Sequence, residues 1–235
     1  MWVVVLVLPL LSVITGTVNY VMNAGVLAAE WDSYWSQVTL FYGLIFASVG
    51  IAVLASAMWR MEHLGNWPRL MASPTSTWAV VAAKVGALAV LVTAMQATLF
   101  VFAWIAGVVF AGMPAAIPAR FVIGTVVAAL AGLSVAALHS LISMLVRSFA
   151  APVAFSVLGC VASIGLLMGG APQTATSVVP YALLTQALSL GSSAIADSAA
   201  LNWVEVAKVA APSLALALVL VAVAALILDR REIKA

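Results

Sequence analysis

Charged residues are scarce in this sequence. Of its 235 residues, only 7% are Asp, Glu, Lys or Arg, whereas 66% are hydrophobic, and the mean hydropathy is +1.24. Soluble domains carry about a quarter charged residues, so most of this chain must face lipid rather than water. The few basic residues form no patch, which argues against nucleic acid as a partner.

Several motifs that carry chemistry are also absent. The single cysteine, Cys160, lies inside an apolar run and has no second thiol with which to form a disulfide or a metal site. The sequence contains no P-loop, no HExxH zinc motif and no GxSxG nucleophile elbow. No carboxylate or lysine stands near the middle of an apolar run, which argues against an ion-coupled carrier or a proton-driven pump. We therefore expect no enzyme activity and no cofactor in this chain.

Long apolar runs predict an all-α, polytopic membrane protein that forms a single domain over residues 1–235. A helix needs about 20 apolar residues to cross the hydrocarbon core of a bilayer. The first run has neither a basic n-region nor a small-residue cleavage site, so we interpret it as a retained span rather than a signal peptide. The six predicted spans cover residues 2–22, 37–59, 79–110, 121–146, 153–170 and 208–228.

The basic residues predict the orientation of these spans. An even number of spans places both termini on one side of the membrane. If that side is the cytoplasm, seven of the nine Lys and Arg residues lie inside, and only Arg120 and Lys208 lie outside. The positive-inside rule therefore predicts that both termini are cytoplasmic. The acidic residues that then face outward are Glu30, Asp32, Asp197 and Glu205.

Two outer connections have a character of their own. Residues 23–36 carry Trp31, Tyr34 and Trp35, which we interpret as interface aromatics that anchor the outer ends of the first two spans. Residues 171–207 form the longest connection, and within it Pro180 and Gly191 mark the start and the stop of a short helix. About ten residues cannot cross a bilayer, so we predict an interfacial or re-entrant helix on the outer side.

One histidine lies within a predicted span. His139 stands beside Ser140 on the fourth helix, and the pair suggests either an intramembrane enzyme or a proton-sensing group. The alternative is a neutral imidazole that is hydrogen-bonded to a neighbouring helix. We favour this second interpretation, because adjacent helical residues point about 100° apart and no third catalytic group is visible. Gln96, in the third span, is interpreted in the same way.

A polar interruption, residues 60–78, joins the second and third spans on the predicted cytoplasmic side. Apolar residues recur in it at the spacing of a short helix, namely Met61, Leu64, Trp67 and Met71. Thr75 or Thr77 can cap the helix that follows. Two interpretations remain open: an interfacial helix that lies on lipid headgroups, or a rigid knob that is offered to a cytosolic partner.

Several residues of this interruption resemble the first cytoplasmic loop of type-2 ABC exporter permeases, in particular the lantibiotic and bacteriocin immunity permeases. The similar residues are Glu62, Asn66-Trp67, Leu70, Ser73-Pro74 and Lys84, together with Trp31, Trp35 and Phe41-Tyr42 before the second span and Pro180-Tyr181 after the fifth. The resemblance implies that the loop is a coupling helix that docks into a groove of a separate ATPase subunit. The residues that it places at this contact are Glu62, His63, Asn66, Trp67 and Arg69.

The resemblance also implies a function, an assembly and a location. The chain would be a multi-pass permease of a bacterial cytoplasmic membrane, surrounded by lipid and paired with a second permease copy or a paralogue. A dimer of ATPase subunits would bind ATP and Mg²⁺ and drive export of a hydrophobic or amphipathic substrate such as a lantibiotic. Candidates for lining the substrate path are Asn19, Tyr20, Tyr42 and Ser48.

The sequence departs from the family pattern at its N-terminus, and one alternative function stays open. Family members usually begin with a basic, amphipathic elbow helix, which this sequence lacks, so we expect the true start to lie upstream or to be misassigned. The alternative function is that of a membrane anchor or signalling subunit, which binds a cytosolic protein without transporting anything. The identity of the substrate and of the second permease stays open at this point.

Overall fold

The computed structural model describes residues 1–67, 74–190 and 201–232. Within them every regular element is helical, and six helical stretches are long and apolar enough to cross a membrane. The elements are α1 (Trp2–Met22), α2 (Trp31–Phe41), a π-helical turn (Tyr42–Phe46), α3 (Ala47–Met61), a second π-helical turn (Glu62–Asn66), α4 (Thr77–Phe110), α5 (Ala119–Leu145), α6 (Ala150–Met168), α7 (Gln173–Thr176), α8 (Pro180–Ser189) and α9 (Trp203–Glu232). The predicted all-α class and the six spans are thus confirmed.

Most of the helices extend beyond their predicted apolar runs. The second span was predicted over residues 37–59, but it is helical from Trp31 to Asn66. Hydropathy marks only the part of a helix that crosses the lipid core, whereas the helix continues until a cap or a kink ends it. At the start of α4 the cap is Ser76, whose side chain accepts a hydrogen bond from the Ala79 amide. The predicted caps Thr75 and Thr77 are therefore wrong.

The aromatic residues at the start of α2 lie inside the bundle. Trp31, Tyr34 and Trp35 are only 5%, 0% and 3% exposed. The Tyr34 hydroxyl shares a hydrogen bond of 3.0 Å with Thr17 on α1, and the Trp35 ring packs 4.9 Å from the Phe121 ring on α5. These rings therefore fill the space between helices rather than the outer surface of the bundle, and their depth at the lipid interface stays a prediction.

α5 is the central helix of the bundle, and it packs against α3, α4, α8 and α9. Small residues allow this close approach. A Cβ atom on Gly132 would lie 2.6 Å from the Val92 side chain on α4, and one on Gly124 would lie 3.1 Å from the Leu190 carbonyl. Substitution at either position would force neighbouring atoms apart. The small-residue stripe Gly124, Ala128, Gly132, Ala136 and Ser140 is buried along its whole length.

The short helix α8 is buried among the longer ones. It begins at Pro180, as predicted, and ends at Ser189. Its Thr185 hydroxyl donates a hydrogen bond of 2.9 Å to the Gly43 carbonyl, in the π-helical turn that widens the middle of the second span. α8 therefore packs inside the bundle rather than on its surface, and its re-entry from the outer side stays a prediction. The buried residues of α8 are Tyr181, Ala182, Leu183, Leu184, Thr185, Ala187 and Leu188.

The two ends of the bundle differ in charge. Successive long helices run in opposite directions, so α3, α5 and α9 end where α4 and α6 begin. We call this the basic end, because among the described residues it carries Arg60, Lys84, Arg147 and Arg230. At the opposite end, Arg120 is ion-paired with Asp32, and Lys208 lies 2.6 Å from Glu205. Both exceptions to the positive-inside pattern are therefore neutralised by a nearby carboxylate.

Candidate partner-binding segment at the basic end

A short polar stretch follows α3 at the basic end. We call Glu62–Trp67 the polar segment; Arg69, which the resemblance places at the same contact, lies outside the described residues. Inside the polar segment the backbone leaves helical geometry at Leu64 and again at Gly65, whose φ is 116°. Glycine adopts this left-handed conformation without a steric penalty. The chain therefore turns sharply here, and the helix predicted from the apolar spacing is interrupted.

An ion pair attaches the polar segment to α4. The Lys84 Nζ donates to Glu62 Oε1 at 2.7 Å, and the two side chains are only 16% and 14% exposed. The same ammonium group lies 4.8 Å from the centre of the Trp59 ring and 3.4 Å from the Met58 carbonyl. The Lys84 charge is thus surrounded by a carboxylate, an aromatic face and a helix-terminal carbonyl, each of which is favourable for a cation.

A histidine attaches the polar segment to α5. The Trp67 Nε1–H donates to His63 Nδ1 at 3.1 Å, so His63 Nδ1 is the acceptor nitrogen. The other nitrogen, Nε2, lies 2.8 Å from the Ser143 carbonyl and therefore carries the proton. Ser143 is in the last turn of α5, where carbonyls have no partner within their own helix. His63 thus satisfies a helix-terminal acceptor that would otherwise need water.

Two further bonds join α3 to the same end of α5. The buried Trp59 ring donates from Nε1 to the Ser140 hydroxyl at 2.8 Å, and the Ser56 and Ser143 hydroxyls are 3.3 Å apart. The Trp59 ring also stacks on Trp67, with ring centres 6.1 Å apart. Ser140 and Ser143 lie three residues apart and so occupy one face of α5. These bonds fix the end of α3 to the end of α5. The polar segment, which follows α3, is therefore held by contacts between helices and not only by its covalent connections.

His139, the residue before Ser140 on α5, bonds to a different helix. His139 is fully buried, and its Nε2 lies 2.9 Å from the Tyr181 hydroxyl on α8. This agrees with the interpretation of His139 as an imidazole that is hydrogen-bonded to a neighbouring helix. Because Ser140 bonds to Trp59 instead, the two residues do not form a base–nucleophile pair in this arrangement.

The four candidates for the substrate path are dispersed. Asn19 is exposed on α1 and donates to the Gln37 side chain, whereas Tyr20 is buried and donates to a backbone carbonyl. Tyr42 and Ser48 are 0% and 1% exposed, and their hydroxyls have no hydrogen bond of good geometry within the described part of the chain. The structure does not bring these four side chains together around one cavity.

An apolar groove of about 550 Å³ lies elsewhere, between α1 and α4. Side chains such as Leu10, Ile14, Phe102 and Phe110 line it, and it includes none of the four path candidates. Its lining is that of a surface which faces lipid tails.

Sequence reasoning missed the residues that hold the polar segment. Ser140 and Ser143 are separated from their partners by about eighty positions along the chain, and serine is common in membrane helices as a packing residue. The signal in the sequence was that Trp59, His63, Ser140 and Ser143 all lie near the predicted cytoplasmic ends of the second and fourth spans.

The fold and the charge pattern together define a multi-pass membrane protein with an ordered polar segment at one end. The family model described as "ABC-2 family transporter protein" matches residues 1–163, and the chain belongs to this family. It is thus of the permease type found in ABC transporters, which work with an ATP-binding partner subunit. No curated protein and no solved structure matches the chain.

Proposed function

We propose that this chain is the permease subunit of an ABC exporter, which expels a hydrophobic or amphipathic substrate from a bacterial cytoplasmic membrane. Family membership over residues 1–163 supports the transporter class. The scarcity of charge within the spans suits an apolar cargo, and we name lantibiotics and related antimicrobial peptides as its substrate class. The sequence has no P-loop, so ATP and Mg²⁺ are bound by a separate ATPase subunit.

The observation that carries the proposal is the attachment of the polar segment to two different helices. Glu62 is held by Lys84 on α4 at 2.7 Å, and His63 is held by the Ser143 carbonyl on α5 at 2.8 Å. A loop transmits a displacement to the helices only if it stays rigid when the partner subunit moves it. We therefore propose that an ATPase subunit docks on the polar segment and on Arg69, as the resemblance implies.

The bonds of α5 suggest a route for the displacement. The end of α5 is bonded to the polar segment through Ser143, and the adjoining turn is bonded through His139 to Tyr181 on α8, at 2.9 Å. Movement of the polar segment would shift α5 and, with it, the buried helix α8. Nucleotide-driven closure of two ATPase subunits would then repack the interior against a second permease copy or a paralogue.

In this proposal both termini and the polar segment are cytoplasmic, and α8 is a re-entrant helix from the outer side. The substrate would pass Asn19, Tyr20, Tyr42 and Ser48. The buried hydroxyls of Tyr42 and Ser48 support this path, because polar groups in the interior of the bundle become hydrogen-bonding sites when the helices separate.

Reconstitution tests the proposal. The full-length chain is co-expressed with candidate ABC ATPase subunits from the same organism, the complex is purified, and ATP turnover and efflux of a fluorescently labelled lantibiotic are measured in proteoliposomes. A stable complex that hydrolyses ATP and exports the peptide supports the proposal. A complex that forms and hydrolyses ATP but moves no peptide, and no labelled lipid, would favour the anchor alternative.

A further inference from the structure

We infer that Met61 and Leu64 are the side chains that enter the ATPase subunit, in an apolar pocket of that partner, and that the more polar neighbours hold them in position. This inference rests on the proposed function and goes beyond it, because it separates the residues that contact the partner from those that position the contact.

Of the five side chains that were predicted to meet the ATPase, the four that the structure describes form bonds within the chain. Glu62 is 14% exposed and is ion-paired with Lys84. His63 uses both ring nitrogens, one for Trp67 and one for the Ser143 carbonyl. These bonds leave Glu62 and His63 little capacity to bind another protein, unless the attachment to α4 and α5 is broken first.

Asn66 also has an internal role. Its side-chain amide donates a hydrogen bond of 3.0 Å to the Met61 carbonyl, across the kink at Gly65. This bond closes the turn that follows Met61. Asn66 is thus a positioning residue for the turn.

The polar segment and the last residue of α3 expose two apolar side chains. Met61 is 60% exposed and Leu64 is 74% exposed. They flank Glu62 and His63 in the sequence, and the turn at Gly65 follows Leu64 directly. Apolar side chains on a rigid projection are the kind that fill a partner's pocket, and methionine adapts to an imperfect fit.

The geometry favours a protein pocket over lipid headgroups. An interfacial helix needs a continuous apolar face. Here the third apolar residue of the predicted face, Trp67, turns inward and stacks on Trp59, while the backbone kinks between Leu64 and Gly65. Among the described residues of the polar segment and the last turn of α3, the exposed large apolar side chains are Met61 and Leu64, and the exposed Arg60 lies beside them; Met71, the fourth residue of the predicted face, lies outside the described residues.

Affinity measurements test this assignment. The doubly substituted chain Met61→Gln/Leu64→Asn should bind the ATPase subunit at least about tenfold more weakly than the wild type, with an unchanged unfolding temperature. The matched control is Val26→Asn, at a residue that is 88% exposed at the opposite end, and it should bind like the wild type. Unchanged affinity in the double variant would overturn the assignment.

Thiol labelling separates protein contact from lipid contact. Leu64→Cys is made in a Cys160→Ala background, and its reaction with maleimide is followed in nanodiscs, with and without the ATPase subunit. Fast labelling that the ATPase slows severalfold supports the inference. Slow labelling in both states indicates burial in lipid, and fast labelling in both states indicates a free surface; either result overturns it. If the wild-type chain itself fails to bind the ATPase, the proposed function fails instead.

Discussion

Glu62 and Lys84 form an ion pair of 2.7 Å across the connection between the second and third membrane-crossing helices. Both residues belong to the pattern that suggested the family, yet nothing in their spacing along the chain indicated that they bind each other. Because both side chains are mostly buried, each charge is stabilised by the other more than it would be in a pair on the surface. The pair therefore holds the polar segment at a fixed distance from α4.

Removing one member of this pair should destabilise the basic end. We expect Lys84→Met to lower the free energy of unfolding by about 1–3 kcal/mol, because it leaves the Glu62 carboxylate partly buried without a cation. Thermal unfolding of the purified chain in detergent measures the effect. The double variant Glu62→Gln/Lys84→Met removes both charges and should recover part of the loss; a single variant as stable as the wild type would contradict the role of the pair.

The two bonds of His63 should act together. His63→Ala removes both, whereas Trp67→Phe removes only the indole N–H and keeps an aromatic ring on Trp59. If the two bonds depend on each other, the losses of unfolding free energy caused by the two substitutions should be non-additive. We expect a coupling free energy of about 0.5–2 kcal/mol in a double-mutant cycle. The measurement is chemical or thermal unfolding of the four chains. Strict additivity would show that Trp67 and His63 are held independently.

The kink in the polar segment depends on a glycine with φ of 116°. A Cβ on Gly65 would contact nothing within 4 Å, so any effect of Gly65→Ala comes from the backbone alone. We expect a loss of about 1–2 kcal/mol of stability and weaker coupling of ATP hydrolysis to transport.

The control for this substitution is Gly86→Ala in α4. A Cβ there also meets nothing within 4 Å, but the backbone is helical, so alanine should be neutral or stabilising by up to about 1 kcal/mol. Equal stability changes in Gly65→Ala and Gly86→Ala would mean that the kink is not required.

The contact between α6 and α8 should be sensitive to a single methyl group. A Cβ on Gly159 would lie 2.2 Å from the Tyr181 ring, so Gly159→Ala must displace Tyr181 and weaken its bond to His139. We expect a destabilisation of about 1–3 kcal/mol from overpacking, measured by thermal unfolding. Gly165→Ala lies on the same helix where a Cβ meets nothing within 4 Å, and it should have little effect. A tolerated Gly159→Ala would argue against the close packing of α8.

The membrane-crossing helices were predictable because their signal is local. Each apolar run of about 20 residues identifies a span, and the first predicted span, 2–22, coincides with α1. Burial was less predictable, because aromatic residues suit both a lipid interface and a helix–helix contact. Trp31 and Trp35 were assigned to the interface for this reason, although they pack inside the bundle.

The polar segment was recognisable, but the direction of its side chains was not. Composition and resemblance identified Glu62, His63 and Trp67, because polar residues interrupt an apolar chain there. Their partners Lys84 and Ser143 lie far along the sequence, and a single sequence carries no information about such pairings. The prediction of an apolar helical face is wrong at Trp67, because the turn at Gly65 precedes it and its ring stacks on Trp59; Met71 lies outside the described residues.

The central claim is that energy enters this chain from an ATPase subunit at the polar segment. The most direct measurement is ATP-dependent accumulation of a fluorescently labelled lantibiotic in inverted proteoliposomes that contain the full chain, with and without the ATPase subunit. The account predicts accumulation against a gradient only when both subunits and ATP are present, and its loss in the Met61→Gln/Leu64→Asn chain. Sustained uphill accumulation by the permease alone would contradict it.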